Sequence, residues 1–547
     1  MADVHATKML LIDDAHILEV ANLRRKVNPA EIRPEPVLRM DAPWDRETDA
    51  INDFTVLYDE QEGLFKMWYT TGSYDGDDYH WSERLAYATS TDGIDWQRPI
   101  LNMVEINGSK QNNHITPSIN VFPSIIIDPS DIPARRYKMI FMVTSREMTW
   151  ARFHIPLCLA YSADGIHWAR PVHVNPVLRG VSDGGFSLFY DSDRRKYLLF
   201  TRRVPNLPRD ISLYESYDLV NWEDCGRVLV PGDEHDPSEM YNFYHMTPFR
   251  YDSLFLSMVA AQYTSPISET YDTYNRHPDH PDTVYGRMEI QLAYSRDGRA
   301  WRRPVDRTPI VACGPDGSPN AGQNLPSMMP IVKDGRTLVY FLAQRARHCH
   351  WNWISQRDQS MRNSGYAMLA IMPEDHWVSL DAGDREGSLL TKPMPFTDWQ
   401  DFLINADAGP GARGAGGYVQ AELITPFGQV VEGFGRGDCI AVTADGKDQP
   451  LRWKGPTGVG EIMPDHRGGL CIRFYLKNAK FYSFTVTEPD PDGEKARYWA
   501  NCRWCEVIKH KSDNWDRLST EPAGGLSPHG GPGPERGQEK PGEMVVD

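Results

Sequence analysis

Residues 85–99 read LAYATSTDGIDWQRP, residues 159–171 read LAYSADGIHWARP and residues 292–304 read LAYSRDGRAWRRP. A degraded copy, LYESYDLVNW, spans 213–222, and a fifth, YAMLAIMPEDHWVSL, spans 366–380. The tryptophans Trp96, Trp168, Trp222 and Trp301 are spaced by 72, 54 and 79 residues, and Trp377 marks the fifth copy. The alternating apolar run in each copy predicts a strand. Asp-Gly supplies the positive φ of a tight hairpin turn. The Trp then opens the next strand and packs back across the hairpin. This motif is scaffold and receives no chemistry.

A second strand pair precedes each copy. The pairs are NDFTVLYDEQEGLFKMWYT (52–70), INVFPSIIIDPSDIPARRYKMIFMV (119–143), DGGFSLFYDSDRRKYLLFTRR (183–203), YNFYHMTPFRYDSLFLSMVA (241–260) and LPSMMPIVKDGRTLVYFLAQ (325–344). Two strands plus the two of the repeat make a four-stranded blade. After Asp381 the pattern changes to short alternating runs between Gly and Pro, as in an antiparallel sandwich. The expected fold is all-β: a five-bladed β-propeller followed by a C-terminal β-sandwich. The expected division is an N-terminal extension over 1–39, the propeller over 40–385, the sandwich over 386–490 and a C-terminal extension over 491–547. The last part, from about 519, is rich in Pro, Gly and charge and reads as disordered.

Composition narrows the function classes. The net charge of −17 argues against nucleic acid, whose phosphates need a basic face. No window reaches the roughly 20 apolar residues of a membrane span. Met1-Ala2-Asp3-Val4-His5 shows no signal-peptide pattern, and the eight cysteines suggest no disulfide framework. Both point to the cytoplasm. Cys502 and Cys505 form a lone CxxC, which reads as ordinary reduced thiols. There is no HExxH, EF-hand or P-loop, so no cofactor and no metal is expected. The 16 Trp and 25 Tyr suit β-strands and also suit sugar stacking.

The DG-x-x-W repeat with a trailing sandwich resembles the five-bladed propeller glycoside hydrolases, above all the family 32 fructosidases and their family 43, 68 and 130 relatives. The resemblance covers nearly all of 40–490. It implies a carbohydrate substrate and three carboxyl groups at one mouth of a central funnel. Ile51-Asn52-Asp53-Phe54 matches the Asn-Asp core of the family nucleophile motif, without its Trp-Met and Pro-Asn-Gly flanks. Ser182-Asp183-Gly184-Gly185 keeps only the Asp of the family Arg-Asp-Pro, and Glu239-Met240-Tyr241 stands where the family has Glu-Cys. The resemblance makes Asp53 the nucleophile, Asp183 the transition-state stabiliser and Glu239 the acid/base. Glycosidic cleavage needs two carboxyl groups flanking the bond, and a third keeps the acid protonated.

Each carboxylate has a plainer reading. Asp53 could bond the backbone at a strand start, and Asp183 could belong to turn chemistry. Glu239 ends the acidic loop Asp233–Glu239, in which Asp236 is its rival. Arg209-Asp210 imitates the Arg-Asp motif but is assigned to the start of an outer strand and set aside. Other expected funnel residues are Asn52, Asn113, His114, Arg202, Tyr241, His245, Gln323, Arg345, His348 and Trp351. Amides, Arg and His suit sugar hydroxyls, and Trp offers a stacking face. The resemblance also makes His245 a candidate beside a channel calcium, against its reading as a hydrogen-bonded histidine. The expected activity is a retaining hydrolase of a non-reducing-end furanoside, fructoside- or arabinoside-like. An inverting hydrolase, a family 130-like phosphorylase using Arg202, Arg203, Arg345 and Arg347, and a non-catalytic carbohydrate-binding propeller stay open. So does a homo-oligomer.

Overall fold

The structure is a computed structural model. It describes residues 4–45, 49–73, 84–116, 120–143, 155–181, 184–203, 209–238, 240–264, 286–348, 365–394, 401–410, 416–455 and 469–489. These fold as all-β. The expectations for the tail from 519 and for Cys502 and Cys505 lie outside the described residues.

Antiparallel meanders follow one another along the chain. The first contains Asp49–Asp59, Leu64–Ser73 and Arg84–Ser90. The second contains Asn120–Ile127, Tyr137–Val143, Ile155–Ser162 and the short Trp168–Ala169. The third contains Ser187–Asp191, Lys196–Thr201, Ile211–Ser216 and Glu223–Leu229. The fourth, Met240–Tyr251, Leu254–Thr264 and Gly286–Ser295, shares one sheet with the fifth, built on Gln323–Pro326, Arg336–Gln344 and Gly365–Pro373. A single parallel pairing, Met288 with Gln323, joins these two.

The repeat is scaffold for a visible reason. In the first copy Ser90 Oγ accepts from Gly93 N at 2.8 Å, and Asp92 Oδ1 accepts from Ile94 N at 2.8 Å and Asp95 N at 2.9 Å. The N–H groups of Asp95 and Ile94 hold the Asp92 carboxyl below the usual carboxylate range. The same bonds recur on Ser162 and Asp164, on Ser216 and Asp218, and on Ser295 and Asp297. The degraded copy keeps the turn by holding Leu219 at φ 65° where the others have glycine. The carboxylate and hydroxyl do the work of the turn, so losing the Gly does not lose the shape.

The first strands of successive meanders touch in sequence. Thr55 Oγ1 donates to Pro123 O at 2.7 Å, Leu188 N donates to Ser124 Oγ at 2.8 Å, and Ser187 Oγ donates to Met246 O. With the Met288–Gln323 pairing and a bond from Tyr340 OH to Gly93 O at 2.7 Å, the series returns to its start. Buried Ser124 also reaches Met328 Sδ at 3.6 Å, a contact between the second and fifth meanders. At the hairpin end, Asp59 binds Lys66 at 3.0 Å together with Arg136 and Tyr137. Asp128 there binds Lys138 at 3.1 Å and Tyr197 at 2.5 Å. Both carboxylates are occupied in joining neighbouring meanders.

Two further sheets lie beyond the meanders. One is ordered Asp445–Pro450, Phe402–Asp407, Lys480–Pro489, Val378–Asp381, Arg24–Val27, with Val4–Leu10 also on Lys480–Pro489. The other is ordered Ile17–Ala21, Gly387–Thr391, Cys471–Lys477, Tyr418–Ile424. They pack through Phe474 of the second against Phe481 and Phe484 of the first, with ring centroids 4.7 and 5.1 Å apart.

Most of the segment expected as an extension over 1–39 is built into sheets, from Val4 to Ile32. Three of its strands complete the sandwich, and Glu31–Ile32 pairs with Ala370 and Ile371 as the outer strand of the fifth meander. The reason is edge protection: an N-terminal strand laid on the last meander covers a row of unpaired backbone groups. Meanders and sandwich belong to one compact unit, Met1–Ala500. The buried Asp375 carboxylate joins them by accepting from Lys8 Nζ at 3.1 Å, Tyr251 OH at 2.7 Å and Ser483 Oγ at 3.0 Å.

Candidate functional site

The end of the ring opposite the Asp59 and Asp128 hairpins is where the first strands begin and the second strands finish. Polar residues concentrate there: Asn52, Thr70, Thr71, Arg202, Asn242, His245, Gln262, Gln323 and Asn324 are all buried. The ladders are also broken there. Asn52 is the extra residue between the pairs Ile51–Thr71 and Asp53–Thr70. Tyr241 and Tyr244 are extra residues in the strand Met240–Tyr251, and a shift between Val121 and Ser124 breaks the strand Asn120–Ile127. A bulge adds one unpaired residue and turns a side chain away from the strict in–out alternation, which is why bulges gather beside functional sites.

Asp53 follows its bulge directly. Its Oδ1 accepts from Phe54 N at 2.7 Å. It is half-buried by surface exposure, yet the packing around its carboxyl is dense. Burial pushes its pKa up to about 8, opposed only by the Phe54 N–H. No neighbouring cation among the described residues lowers it. A carboxyl kept neutral near pH 7 by its surroundings is unusual, and such groups cluster at reactive sites. The turn-like bond to Phe54 and the raised pKa coexist, so the plain reading of Asp53 covers only part of its environment.

A second group of side chains gathers on Tyr244. The Arg202 guanidinium lies 4.3 Å from the Tyr244 ring centroid, and the Arg209 guanidinium lies 5.2 Å away. The His348 ring meets the same ring edge-on at 5.0 Å. Gln262 Nε2 lies 3.3 Å from His348 Nδ1, and Asn242 Nδ2 donates to Gln262 Oε1 at 3.0 Å. Arg202 Nε donates to Gly184 O at 3.2 Å. The Gly184-Gly185 pair has a steric role: a Cβ on Gly185, at φ +64°, would stand 2.2 Å from Tyr244 O and 3.0 Å from Arg202 Nε. His245 is buried against this group, and burial and then the Arg202 charge bring its pKa down to about 4. It is therefore neutral, and the backbone of Phe186 and Pro326 offers its ring hydrogen-bond partners.

The Tyr244 group and Asp53 share one end of the ring through a continuous run of contacts. A Cβ on Gly365 would lie 2.0 Å from Ile51 O, so those backbones touch. Gly365 pairs with Gln344, Gln323 Nε2 donates to Gln344 Oε1 and to Ala346 O at 3.0 Å, and Gln323 pairs with Met288. Met288 pairs with Gln262.

The other expected residues divide sharply. Arg202, His245, Gln323 and His348 converge as above, and Arg345 is half-buried just before His348. Asn113 is fully occupied in the scaffold: it accepts from Trp44 Nε1 at 2.9 Å and donates to Tyr69 OH at 2.6 Å and Tyr87 O at 2.7 Å. His114 is buried, 3.2 Å from Thr71 Oγ1, and burial with the charges of Arg84 and Arg98 lowers its pKa to about 4. Arg203 is drawn outward into an ion pair with Asp224, which removes it from a phosphate cluster. Asp183, Glu239 and Trp351 lie outside the described residues, as does the side chain of Tyr241. Asp236, the rival of Glu239, has its carboxylate covered and paired with Arg303 and Arg307, so it is scaffold.

Sequence reasoning missed Tyr244, Arg209 and Gln262. Asp210 sits before Ile211–Ser216, which is paired on both sides as the third of four strands and is not the outer one that the sequence suggested, and it pairs with Arg227 at 3.4 Å. Its neighbour Arg209 points to the other side and reaches Tyr244. No sequence signal marks a bulge at Tyr244, so nothing in the pattern turned that ring inward. Among the described residues no group of three His, Cys, Asp or Glu could hold a metal ion.

No family model matches the chain, and no curated protein matches it. Solved structures similar to it include a glycosyl hydrolase from Bacteroides ovatus, at 14% identity over 64% of this chain and 94% of that one, with a TM-score of 0.42. A thermostable family-43 glycoside hydrolase shares 14% identity over 61% and 93%, with a TM-score of 0.39. An N-acetylgalactosamine deacetylase from F. plautii, in complex with blood group B trisaccharide, shares 15% identity over 64% and 96%, with a TM-score of 0.40. These likenesses are weak, and the chemistry of the site rests on its own residues.

Proposed function

We propose that this chain is a five-bladed propeller glycoside hydrolase acting at the non-reducing end of a furanoside. The observation that carries the reading is Asp53, a bulge-positioned carboxyl with its pKa raised to about 8. It stands at the polar end of the ring that also holds the Arg202, Tyr244 and His348 group. In the retaining scheme, ionised Asp53 attacks the anomeric carbon while the glycosidic C–O bond breaks. Glu239 gives its proton to the leaving oxygen. Glu239 then takes a proton from water, whose oxygen attacks the same carbon and frees the Asp53 carboxylate. Asp183 steadies the positive charge on the sugar. The amides of Gln262 and Gln323 and the neutral His245 supply hydroxyl partners in a buried setting, where hydrogen bonds discriminate strongly.

The test is turnover on a panel of nitrophenyl and natural glycosides, with Asp53→Asn and Glu239→Gln variants. Asp53→Asn is expected to abolish hydrolysis of both kinds of substrate. Glu239→Gln is expected to slow the natural glycosides by about 10²–10⁴-fold and the nitrophenyl glycosides less, because a good leaving group needs little protonation. Full activity in Asp53→Asn would overturn the assignment.

A further inference from the structure

The Tyr244 ring organises two cations. A guanidinium lying over an aromatic face keeps its in-plane N–H groups available at its rim, where a carboxylate or phosphate can take two of them at once. Arg202 spends one donor on Gly184 O. Arg209 is different: its Nη1 is buried and has no hydrogen-bond partner among the described residues. Asp210, next to it in sequence, does not neutralise it, because that carboxylate is directed to Arg227. A buried cationic donor left unpaired is costly, and native proteins keep few of them. The chain as a whole carries a net charge of −17, so a concentration of cations at one point is no background effect.

The backbone around Arg209 is held in place. Arg209 N donates to Asn242 Oδ1 at 2.7 Å, and Phe243 N donates to Arg209 O at 3.0 Å. Asn242 in turn bonds Gln262, which meets His348. These bonds fix the root of the side chain beside the bulge that presents Tyr244. The guanidinium is therefore aimed by the same network that builds the polar end of the ring, which a solvated surface arginine would not need.

We infer that Arg209, stacked on Tyr244 beside Arg202, receives an oxyanion during catalysis. The proposal rests on the glycosidase reading of this site and, in its acidic-sugar form, replaces the neutral furanoside with a glycosiduronic acid. The oxyanion is either the carboxylate of an acidic sugar or free inorganic phosphate. The two share the geometry of paired oxygens that a guanidinium recognises. Phosphate in place of water would attack the anomeric carbon held by Asp53, forming its C–O bond as the bond to Asp53 breaks, and would leave as a sugar 1-phosphate; the alcohol departs in the first step with the proton from Glu239.

The experiment uses the full chain and its Arg209→Gln and Arg209→Lys variants, with melting temperature as a check on folding. Binding is measured for a panel of hexuronates, the matching neutral hexoses and inorganic phosphate. Turnover is measured on paired nitrophenyl glycosiduronic acids and neutral glycosides, with and without phosphate. An acidic-sugar site predicts hexuronate binding at least tenfold tighter than that of the neutral hexose. The preference should fall at least tenfold in Arg209→Gln and in part in Arg209→Lys. A phosphate site predicts phosphate-dependent release of sugar 1-phosphate, with the phosphate KM raised at least tenfold by Arg209→Gln. Equal binding of hexuronate and hexose, with no phosphate binding, overturns the oxyanion site even if neutral glycosides are hydrolysed. Hexuronate binding that depends on Arg209, without turnover of any glycoside, keeps the site and overturns the hydrolase reading.

Discussion

The Tyr340 hydroxyl donates to the Gly93 carbonyl at 2.7 Å, and this bond ties the fifth meander to the turn of the first. In the second, third and fourth meanders the repeat tryptophan takes that carbonyl itself: Trp168 Nε1 reaches Gly165 O at 3.0 Å, Trp222 reaches Leu219 O at 3.1 Å and Trp301 reaches Gly298 O at 2.9 Å. In the first meander Tyr340 occupies the carbonyl, and Trp96 Nε1 has no partner among the described residues. Trp96 instead meets the Tyr340 ring edge-on at 6.1 Å. The Gly165 carbonyl also accepts from Trp68 Nε1 of the first meander at 2.6 Å, so the repeat turn joins neighbouring meanders at Gly93 and Gly165 and stays local at Leu219 and Gly298.

The Gly93 joint is sterically exact enough to test. A Cβ on Gly93, at φ +76°, would lie 2.5 Å from the Tyr340 hydroxyl and 3.2 Å from Phe65. Gly93→Ala is expected to destabilise by about 3–5 kcal/mol, through strain and the displaced tyrosine. Gly108, at φ +77°, has nothing within 4 Å of a Cβ, so Gly108→Ala should cost only the conformational part, about 1–2 kcal/mol. Equal losses in denaturant unfolding would show that Tyr340 yields freely.

Asp53 should trade stability for chemistry. Its folded pKa is raised, so its contribution is full below the unfolded value near 4 and is lost as pH rises through about 8. Asp53→Asn carries no such penalty. The variant should match the wild type near pH 4 and become more stable by roughly 1–3 kcal/mol at pH 8 and above. Melting curves across that range check it. A variant less stable than the wild type at pH 9 would mean that the carboxylate is stabilised by a group that burial alone does not reveal.

The same group sets the expected rate profile. A nucleophile must be ionised, so kcat/KM in the free enzyme should climb with pH and level off above about 8. The opposite slope, a fall through that pH, would make Asp53 the proton donor and move the nucleophile elsewhere in the site.

Asp375 should matter to stability alone. Its carboxylate faces Lys8, Tyr251, Asn405 and Ser483; burial opposes its charge, and Lys8 with these hydrogen bonds holds its pKa below the usual range. That depressed value means its contribution is present at neutral pH and is lost as pH falls below about 4. Asp375→Asn removes the charged acceptor of the bonds from Lys8, Tyr251 and Ser483, leaves Lys8 with Glu374 at 3.8 Å, and should cost about 1–3 kcal/mol at pH 7. The difference from wild type should shrink in acid. The ratio of rates on different glycosides should stay unchanged in the folded fraction.

The sequence by itself determined the repeating strands and turns. Ser90, Asp92, Gly93 and Trp96 carry their turn within a few residues, so their pattern is visible without a fold. The change of pattern after Asp381 is local in the same way. What joins the meanders is not local. Glu31–Ile32 finds its partner about 340 residues later, and Tyr340 finds Gly93 across the ring, so neither leaves a periodic mark. Asp53 was legible because an Asn-Asp pair opens a strand, while its raised pKa depends on what packs around it. Tyr244 and Arg209 were not legible. A bulge is one unpaired residue in a register set by the neighbouring strand, and the direction of the Arg209 side chain follows from where that bulge puts the ring. Local hydrogen bonding writes itself into sequence spacing, whereas register and ring closure are decided only when distant strands meet.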